Sequence, residues 1–347
     1  MGKYSLDAFE QYPLVKIRPK VTQMAASGYR LVNLSWADLE TGDGRLLSPC
    51  EIGEGTVILQ LHLDRSGDVA DACGFVRRMG SYYQGGKALA GVVLSGGTYD
   101  SVDLDQLLQA YVQGFESTYL LAEPGTALME ACGRQKIRTG LWLDLNHGIL
   151  NLRRAIAEGN LQKTWREAPV YLYAGRDMTE EELDAAIRWH ASGADQAVPV
   201  GPQMTLRRMM FPEGLTSGGP MPLRLWWQNI GTAPIYDTLE VKLELRSGDG
   251  SCSVVISDRL ERPGVGDSTL NFTAKLPAVA CGKYGLWCGL KAGETFLPLA
   301  MEAEENAGMY CVGTIVLDDQ SRPYLETMWE EQYADGYYPL EDPAQPE

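Results

Sequence analysis

Up to about residue 202 the chain repeats one pattern: a short, almost continuously apolar run, then a helical or connecting segment. Apolar residues at successive rather than alternate positions predict parallel strands covered on both faces. The pattern predicts strands at 14–18, 30–36, 56–63, 89–94, 118–122, 139–145, 169–174 and 196–200. Of these, 14–18 (LVKIR) reads equally well as an entry loop. Eight strands with intervening helices favour a closed, compact TIM-like (β/α)8 barrel over an open doubly wound sheet. The span is short for such a barrel, so some connections are reduced, and 40–55, with little helical periodicity, is the expected one.

Two helices are marked with particular clarity. Val102, Leu104, Leu107, Leu108, Tyr111, Val112 and Phe115 recur mostly three or four apart and form one apolar stripe. At the second, Thr179 is the expected cap, Glu182 completes a capping box, and Met178 staples onto Leu183. Leu183, Ala186 and Ile187 are then expected to face the core.

Beyond residue 202 the helical period nearly vanishes. Strand-like segments appear at 206–211, 223–228, 239–245, 252–256, 268–274, 284–290 and 309–317, separated by polar or glycine-rich turns such as SGDG at 247–250. Seven short strands at this spacing predict an all-β sandwich of immunoglobulin-like size. The expected organisation is a barrel over 1–202, a sandwich over 203–317 and a tail over 318–347. That tail holds nine acidic residues and one basic residue, Arg322. It therefore supplies about half of the formal charge of −16 and reads as a solubilising terminus. Its aromatics, among them Tyr324 and Trp329, suggest that part of it docks first.

Charge and composition narrow the partners. With no Lys/Arg cluster to neutralise phosphates, a nucleic-acid partner is not expected, nor is adsorption to an anionic membrane. The longest apolar runs break within ten residues, so insertion into a bilayer is not expected either. Seven scattered cysteines without a CxxC pair argue against a disulfide scaffold or zinc site. Three dispersed histidines argue against a histidine-rich metal site, and GxGxxG, P-loop, HExxH and GxSxG patterns are missing. No cofactor or resident metal is therefore expected. No segment has the form of a signal peptide. A cytoplasmic location follows if the sequence is full-length, and an exported one if it is a mature fragment. The sequence does not fix an oligomeric state.

Several segments, in order, resemble the DUF4832-type family of glycosidase-superfamily proteins. They are WADLETGDG at 36–44, FVRRMGSYYQGGKALAGVVLSGG at 75–97, TGLWLDLNH at 139–147, APVYLYAG at 168–175 and WWQNIGTAPIY at 226–236. The resemblance covers most of the chain. It implies a glycoside-hydrolase-like barrel with a C-terminal β-sandwich, and a carbohydrate or other neutral polyhydroxylated ligand. Two departures bear on chemistry. The family's Gly-Glu pair after the fourth strand is replaced by LSGGTYDS, whose only acid is Asp100, and the Glu usual after the APV segment gives way to YLYAGRD. The resemblance thus implies a hydrolase scaffold whose usual acid chemistry has been lost or moved.

Glycoside hydrolysis needs two carboxyl groups flanking the scissile bond, and barrels supply such groups from the carboxyl ends of strands. Asp144, Asp100, Glu123 and Asp64 are the expected catalytic candidates, and Asp144, within the strong strand LWLD, leads them. Each has a structural alternative: Asp144 as a buried hydrogen-bond anchor, Asp64 and Asp100 as turn or cap residues, Glu123 as a strand end before Pro124. Glu40, Trp36, Tyr99, His147, Tyr173 and Arg176 are the expected ligand-binding candidates, with loop bracing or packing as their alternatives. Two functions remain open at this point. One is a hydrolase with a nonstandard carboxylate pair, the other a catalytically inactive glycan-binding or structural interaction protein.

Overall fold

The computed structural model describes residues 14–35, 56–63, 68–83, 89–96, 99–248, 253–276, 278–322 and 325. The chain divides into two compact units. One comprises Ala25–Gly201 with Thr232–Tyr236, the other Met1–Met24, Pro202–Gly231 and Asp237–Glu347. The first described elements are two short strands, β1 (Leu14–Ile17) and β2 (Lys20–Val21).

The unit built on Ala25–Gly201 is a parallel sheet of seven strands among the described residues. They are β3 (Tyr29–Ser35), β4 (Thr56–His62), β5 (Leu89–Val93), β6 (Tyr119–Ala122), β7 (Thr139–Asp144), β8 (Val170–Tyr173) and β9 (Gly193–Ala194). They pair in chain order, and the sheet curls into a nearly closed barrel. Its helices are α1 (Val69–Tyr83), α2 (Ser101–Gly114), α3 (Ala127–Gln135), α4 (Ile149–Glu158) and α5 (Glu180–Arg188).

Strand alternation sorts this unit's side chains into two cores. Val57, Leu59, Leu61, Val92 and Leu120 pack against Val76, Met79, Leu107, Leu108 and Tyr111 of α1 and α2. Leu141, Leu143, Val170 and Leu172 pack against Leu152 and Ile156 of α4 and Ala186 of α5. Residues of the opposite parity, Tyr29, Ile58, Val93, Leu121, Trp142 and Tyr171, fill the interior of the curled sheet. The Tyr29 hydroxyl donates to the carbonyl of Leu172, 2.7 Å away and buried, tying the first barrel strand to the sixth. Gly193 packs closely here, since a Cβ would lie 3.0 Å from the Tyr171 ring. An isolated antiparallel bridge between Ser27 and Val198 brings the segments flanking β3 and β9 together.

Thr179 caps α5 as the pattern predicts, and Glu182 closes the capping box. Ala185 and Ala186 are buried, whereas Ile187, expected in the core, is 53% exposed. Likewise Leu104, Leu107, Leu108 and Tyr111 bury the stripe of α2, but Val102 at its first turn is exposed.

Residues of the second unit form β10 (Met204–Pro212), β11 (Gly214–Thr216), β12 (Pro220–Asn229), β13 (Leu239–Ser247), β14 (Ser253–Leu260) and β15 (Gly266–Lys275). They continue with β16 (Gly282–Ala292), β17 (Thr295–Leu297), β18 (Met301–Glu302), β19 (Glu305–Asn306) and β20 (Met309–Asp318). One sheet runs β1-β10-β12-β15, and a second runs β11-β20-β16-β13-β14 with β17 and β19 at its margins. All pairings in the two sheets are antiparallel except β11 with β20. Strand β13 shows the logic of one covered face: Leu239, Val241, Leu243 and Leu245 are buried, while Glu240, Lys242, Glu244 and Arg246 alternate with them.

Two strand expectations need correction, and with them the eight-stranded count. Residues 14–17 do form a strand, but it pairs antiparallel with β10, Ile17 opposite Met209, and lies in the second unit. The last parallel strand is Gly193–Ala194 rather than 196–200. The described residues therefore give a mixed α/β architecture with seven parallel strands and five α-helices, not a (β/α)8 repeat.

Candidate functional site

The carboxyl end of the parallel sheet is where the interior changes character. Strands that contribute Tyr29, Leu31, Ile58, Leu121, Trp142 and Tyr171 below present polar residues of the same parity above. These are Asn33 on β3, Gln60 and His62 on β4, Glu123 after β6, Asp144 and Tyr173 ending β7 and β8, and Asp195 after β9. A step of two residues along a strand keeps the side chain on the same face, so this layer rings the mouth of the curled sheet.

The ring is organised by hydrogen bonds between strand ends. On β3 and β4, His62 Nε2 donates to Asn33 Oδ1 at 2.9 Å. Between the ends of β6 and β7, His147 pairs through Nδ1 with Glu123 Oε1. The His147 side chain is 53% exposed, which puts the pair at the water's edge. Asp144 Oδ1 accepts from the backbone N–H of Asn146 at 3.0 Å and from its Nδ2 at 2.8 Å. Among the described residues the hydrogen bonds of these two carboxylates run through Asp144 Oδ1 and Glu123 Oε1. Asn146 Nδ2 also reaches the carbonyl of Ala174 at 3.3 Å. Asp195 accepts the N–H groups of Ala174 at 2.9 Å and Gly175 at 2.7 Å.

Beneath the ring, Tyr173 stacks on Trp142 with centroids 5.7 Å apart, and Trp142 lies 6.0 Å from Tyr29. Trp142 is buried, so it forms the floor, while half-buried Tyr173 belongs to the mouth. Burial raises the phenol pKa of Tyr29, with the nearby carboxylates of Asp195 and Asp144 adding to the shift.

Of the expected site residues, Asp144, Glu123, His147 and Tyr173 are brought together here. Asp100 serves a different purpose. Its Oδ1 accepts from the N–H groups of Val102 at 2.9 Å and Asp103 at 3.0 Å, capping α2. Tyr99 packs against the helix-side core, and burial raises its hydroxyl pKa. Arg176 forks onto Glu182 with bonds of 2.9 and 2.7 Å, which holds the Glu182 carboxyl down at about 2. Trp36, Glu40 and Asp64 lie outside the described residues. Asn33, Gln60, His62 and Asp195 escaped the sequence reading. The signal for three of them was present: LVNLS and ILQLH each place polar residues two apart within an apolar strand.

Among the described residues no group of three or more His, Cys, Asp or Glu is arranged to hold a metal ion. No helix there is long and apolar enough to cross a membrane.

No family model matches the chain, and no curated protein matches it. Solved structures with some likeness include a beta-glucosidase from Listeria innocua in complex with laminaribiose, at 12% identity and TM-score 0.24. There 88% of this chain and 48% of that one are covered. The b-glucosidase EmGH1 from Erythrobacter marinus, at 10% identity and TM-score 0.24, is covered to 49% over 88% of this chain. The CARDB domain of the PF1109 protein from Pyrococcus furiosus, in complex with di-metal ions, aligns with 33% of this chain and 93% of its own. Its identity is 14% and its TM-score 0.24. This chain thus spans about half the length of the beta-glucosidases.

Proposed function

We propose that the protein is carbohydrate-active and holds a neutral polyhydroxylated ligand at the carboxyl-end mouth of its parallel sheet. The observation that carries this reading is the ring of amide, imidazole, carboxylate and phenol groups from six strands above an aromatic floor. Hydroxyl-rich ligands need many donors and acceptors of mixed type, and such groups converging over an apolar base are what a binding cavity offers. The DUF4832-type resemblance of residues 139–147 and 168–175, which supply Asp144, His147 and Tyr173, supports the same reading.

Hydrolysis is the more specific form of the proposal, favoured by the placement of Glu123 and Asp144. Register aligns Ala122 with Leu141, so Glu123 is level with Trp142 and Asp144 lies two residues further on the neighbouring strand. Strand spacing and rise then put their Cα atoms about 8 Å apart. Two carboxyl groups so placed can flank one glycosidic bond. Glu123, paired with His147, takes the proton-donor role, and Asp144, its Oδ1 held by Asn146, offers Oδ2 to the sugar or a water.

Titration calorimetry and sugar-release assays with laminaribiose, cellobiose and other neutral disaccharides test both levels. The wild type is expected to bind at least one of them, and Asp144→Asn to weaken that binding about tenfold or more while remaining folded. Release of sugar that disappears in both Asp144→Asn and Glu123→Gln identifies a hydrolase, and binding without release identifies a glycan-binding protein. Failure of the wild type to bind any of the panel, or a folded Asp144→Asn protein that binds like wild type, rejects the mouth as the site.

A further inference from the structure

We propose that Asp195 is a positioning residue for the mouth: it holds the end of β8 and, through it, sets Asn146, Asp144 and Tyr173 as one unit. This rests on the reading of the mouth as the ligand site and adds the device that keeps its carboxylate in place.

The chain of contacts is continuous. Asp195 follows β9, a strand of only two residues, Gly193–Ala194, which has little ladder of its own to stabilise it. Both oxygens of its carboxylate are used, Oδ1 on the N–H of Ala174 and Oδ2 on the N–H of Gly175. Gly175 is in the left-handed region at φ 66°, a conformation that favours glycine at this turn. The Ala174 carbonyl then accepts from Asn146 Nδ2, and the same Nδ2 donates to Asp144 Oδ1. Tyr173 immediately precedes this turn and is paired with Asp144 in the β7–β8 register. Three strand ends are thus linked in the order Asp195, Ala174–Gly175, Asn146, Asp144.

The arrangement uses Asp195 as a carboxylate, with both oxygens engaged. Two adjacent backbone N–H groups converge on it, one on each oxygen, and a carboxylate accepts both in that geometry. Asparagine would point an NH₂ at one of those donors, leaving it without an acceptor in a half-buried site. With the turn released, the Ala174 carbonyl moves, Asn146 loses one of its two acceptors, and Asp144 Oδ1 loses its fixed direction. Asp195 itself need not touch the ligand.

Amide hydrogen exchange on Asp195→Asn reads this coupling without any ligand. The expected result is exchange faster by about tenfold or more at Ala174 and Gly175 and also at Asn146, with the α2 amide of Leu108 unchanged. Acceleration at Ala174 and Gly175 that leaves Asn146 at its wild-type rate overturns the proposal, because Asp195 then supports only its own turn. If Asp195→Asn does not fold, Asn146→Ala breaks the same chain from the other end. It should leave Gly175 protected, and wild-type binding of the disaccharide at the mouth overturns the proposal in that case. A second arm uses laminaribiose or whichever disaccharide of the panel the wild type binds. Asp195→Asn should weaken binding in the wild-type background but add little in the Asp144→Asn background, whereas additive losses contradict positioning through Asp144. A wild type that binds no sugar defeats the ligand-site reading alone, and the exchange result still decides whether Asp195 governs Asp144.

Discussion

The interior of the parallel sheet has two layers made from the same strands and the same side-chain parity, yet they differ in kind. The lower one, Tyr29, Ile58, Val93, Leu121, Trp142 and Tyr171, is buried and almost wholly apolar in its contacts. The upper one, nearer the carboxyl ends and of the same parity, consists of amides, imidazole, carboxylates and a phenol, partly open to water. The lower layer packs as one buried cluster inside the curled sheet. On the proposed reading, ligand binding belongs to the rim, and the rim rests on a buried floor. Substitutions should separate accordingly, with floor residues costing stability and rim residues costing function.

Trp142→Ala is expected to show the largest effect. The indole is buried and touches both Tyr29 and Tyr173, so its loss leaves a cavity on the axis of the sheet. A destabilisation of about 3–5 kcal/mol is expected in urea unfolding. Tyr173→Ala, half-buried at the rim, should cost clearly less stability but weaken ligand binding by a larger factor than its stability loss suggests. Equal stability losses for the two would break the distinction between floor and rim.

The second effect in size lies outside both layers, at the start of α5. Glu182 accepts from Arg176 twice and from the N–H of Thr179 at 2.8 Å, and its carboxyl is held down from 4.5 to about 2. A carboxyl whose folded pKa is lowered stabilises the protein above its unfolded pKa, and that contribution is lost as pH falls through the folded value. Wild-type stability should therefore fall between about pH 4.5 and pH 2. Glu182→Gln should cost about 2 kcal/mol at neutral pH, flatten that part of the profile, and leave ligand binding unaltered. A variant with an undiminished acid slope shows that other carboxylates carry it.

How far the sequence reveals these layers depends on how local the determining signal is. The run TGLWLD placed β7 and its terminal Asp144 because strand, parity and carboxyl end all lie within six residues. The capping box at Thr179 and Glu182 is equally local. The partner of β1 is not, since nothing in LVKI shows that it lies opposite Met209–Pro212, nearly two hundred residues away. Strand β9 is too short to have a period, so the neighbouring apolar residues of 196–200 drew the assignment instead. The rim on β3 and β4 was legible in principle, from Asn33 two after Leu31 and from Gln60 and His62 following Ile58. Asp195 carried no such cue, and its role appears only when the β8 turn is seen above it.

The smallest expected effect concerns a carboxylate that the sequence offered as a catalyst. Asp100 stands at the start of α2, and its Oδ1 already accepts two of the helix's otherwise unpaired N–H groups. Asparagine caps a helix about as well as aspartate, since the amide oxygen can accept the same bonds, whereas alanine cannot. Asp100→Asn should thus stay within a few tenths of a kcal/mol of wild type, roughly the difference between these two caps, and Asp100→Ala should lose about 1 kcal/mol. Both should bind disaccharide and release sugar as the wild type does, because the carboxylate is spent on the helix rather than presented to the rim. The amide is the informative substitution, as it preserves the cap and removes only the ability to carry a proton or a charge. A stable Asp100→Asn protein that had lost binding or turnover would move Asp100 from the scaffold to the chemistry, and the rim would then extend beyond the inward layer of the sheet.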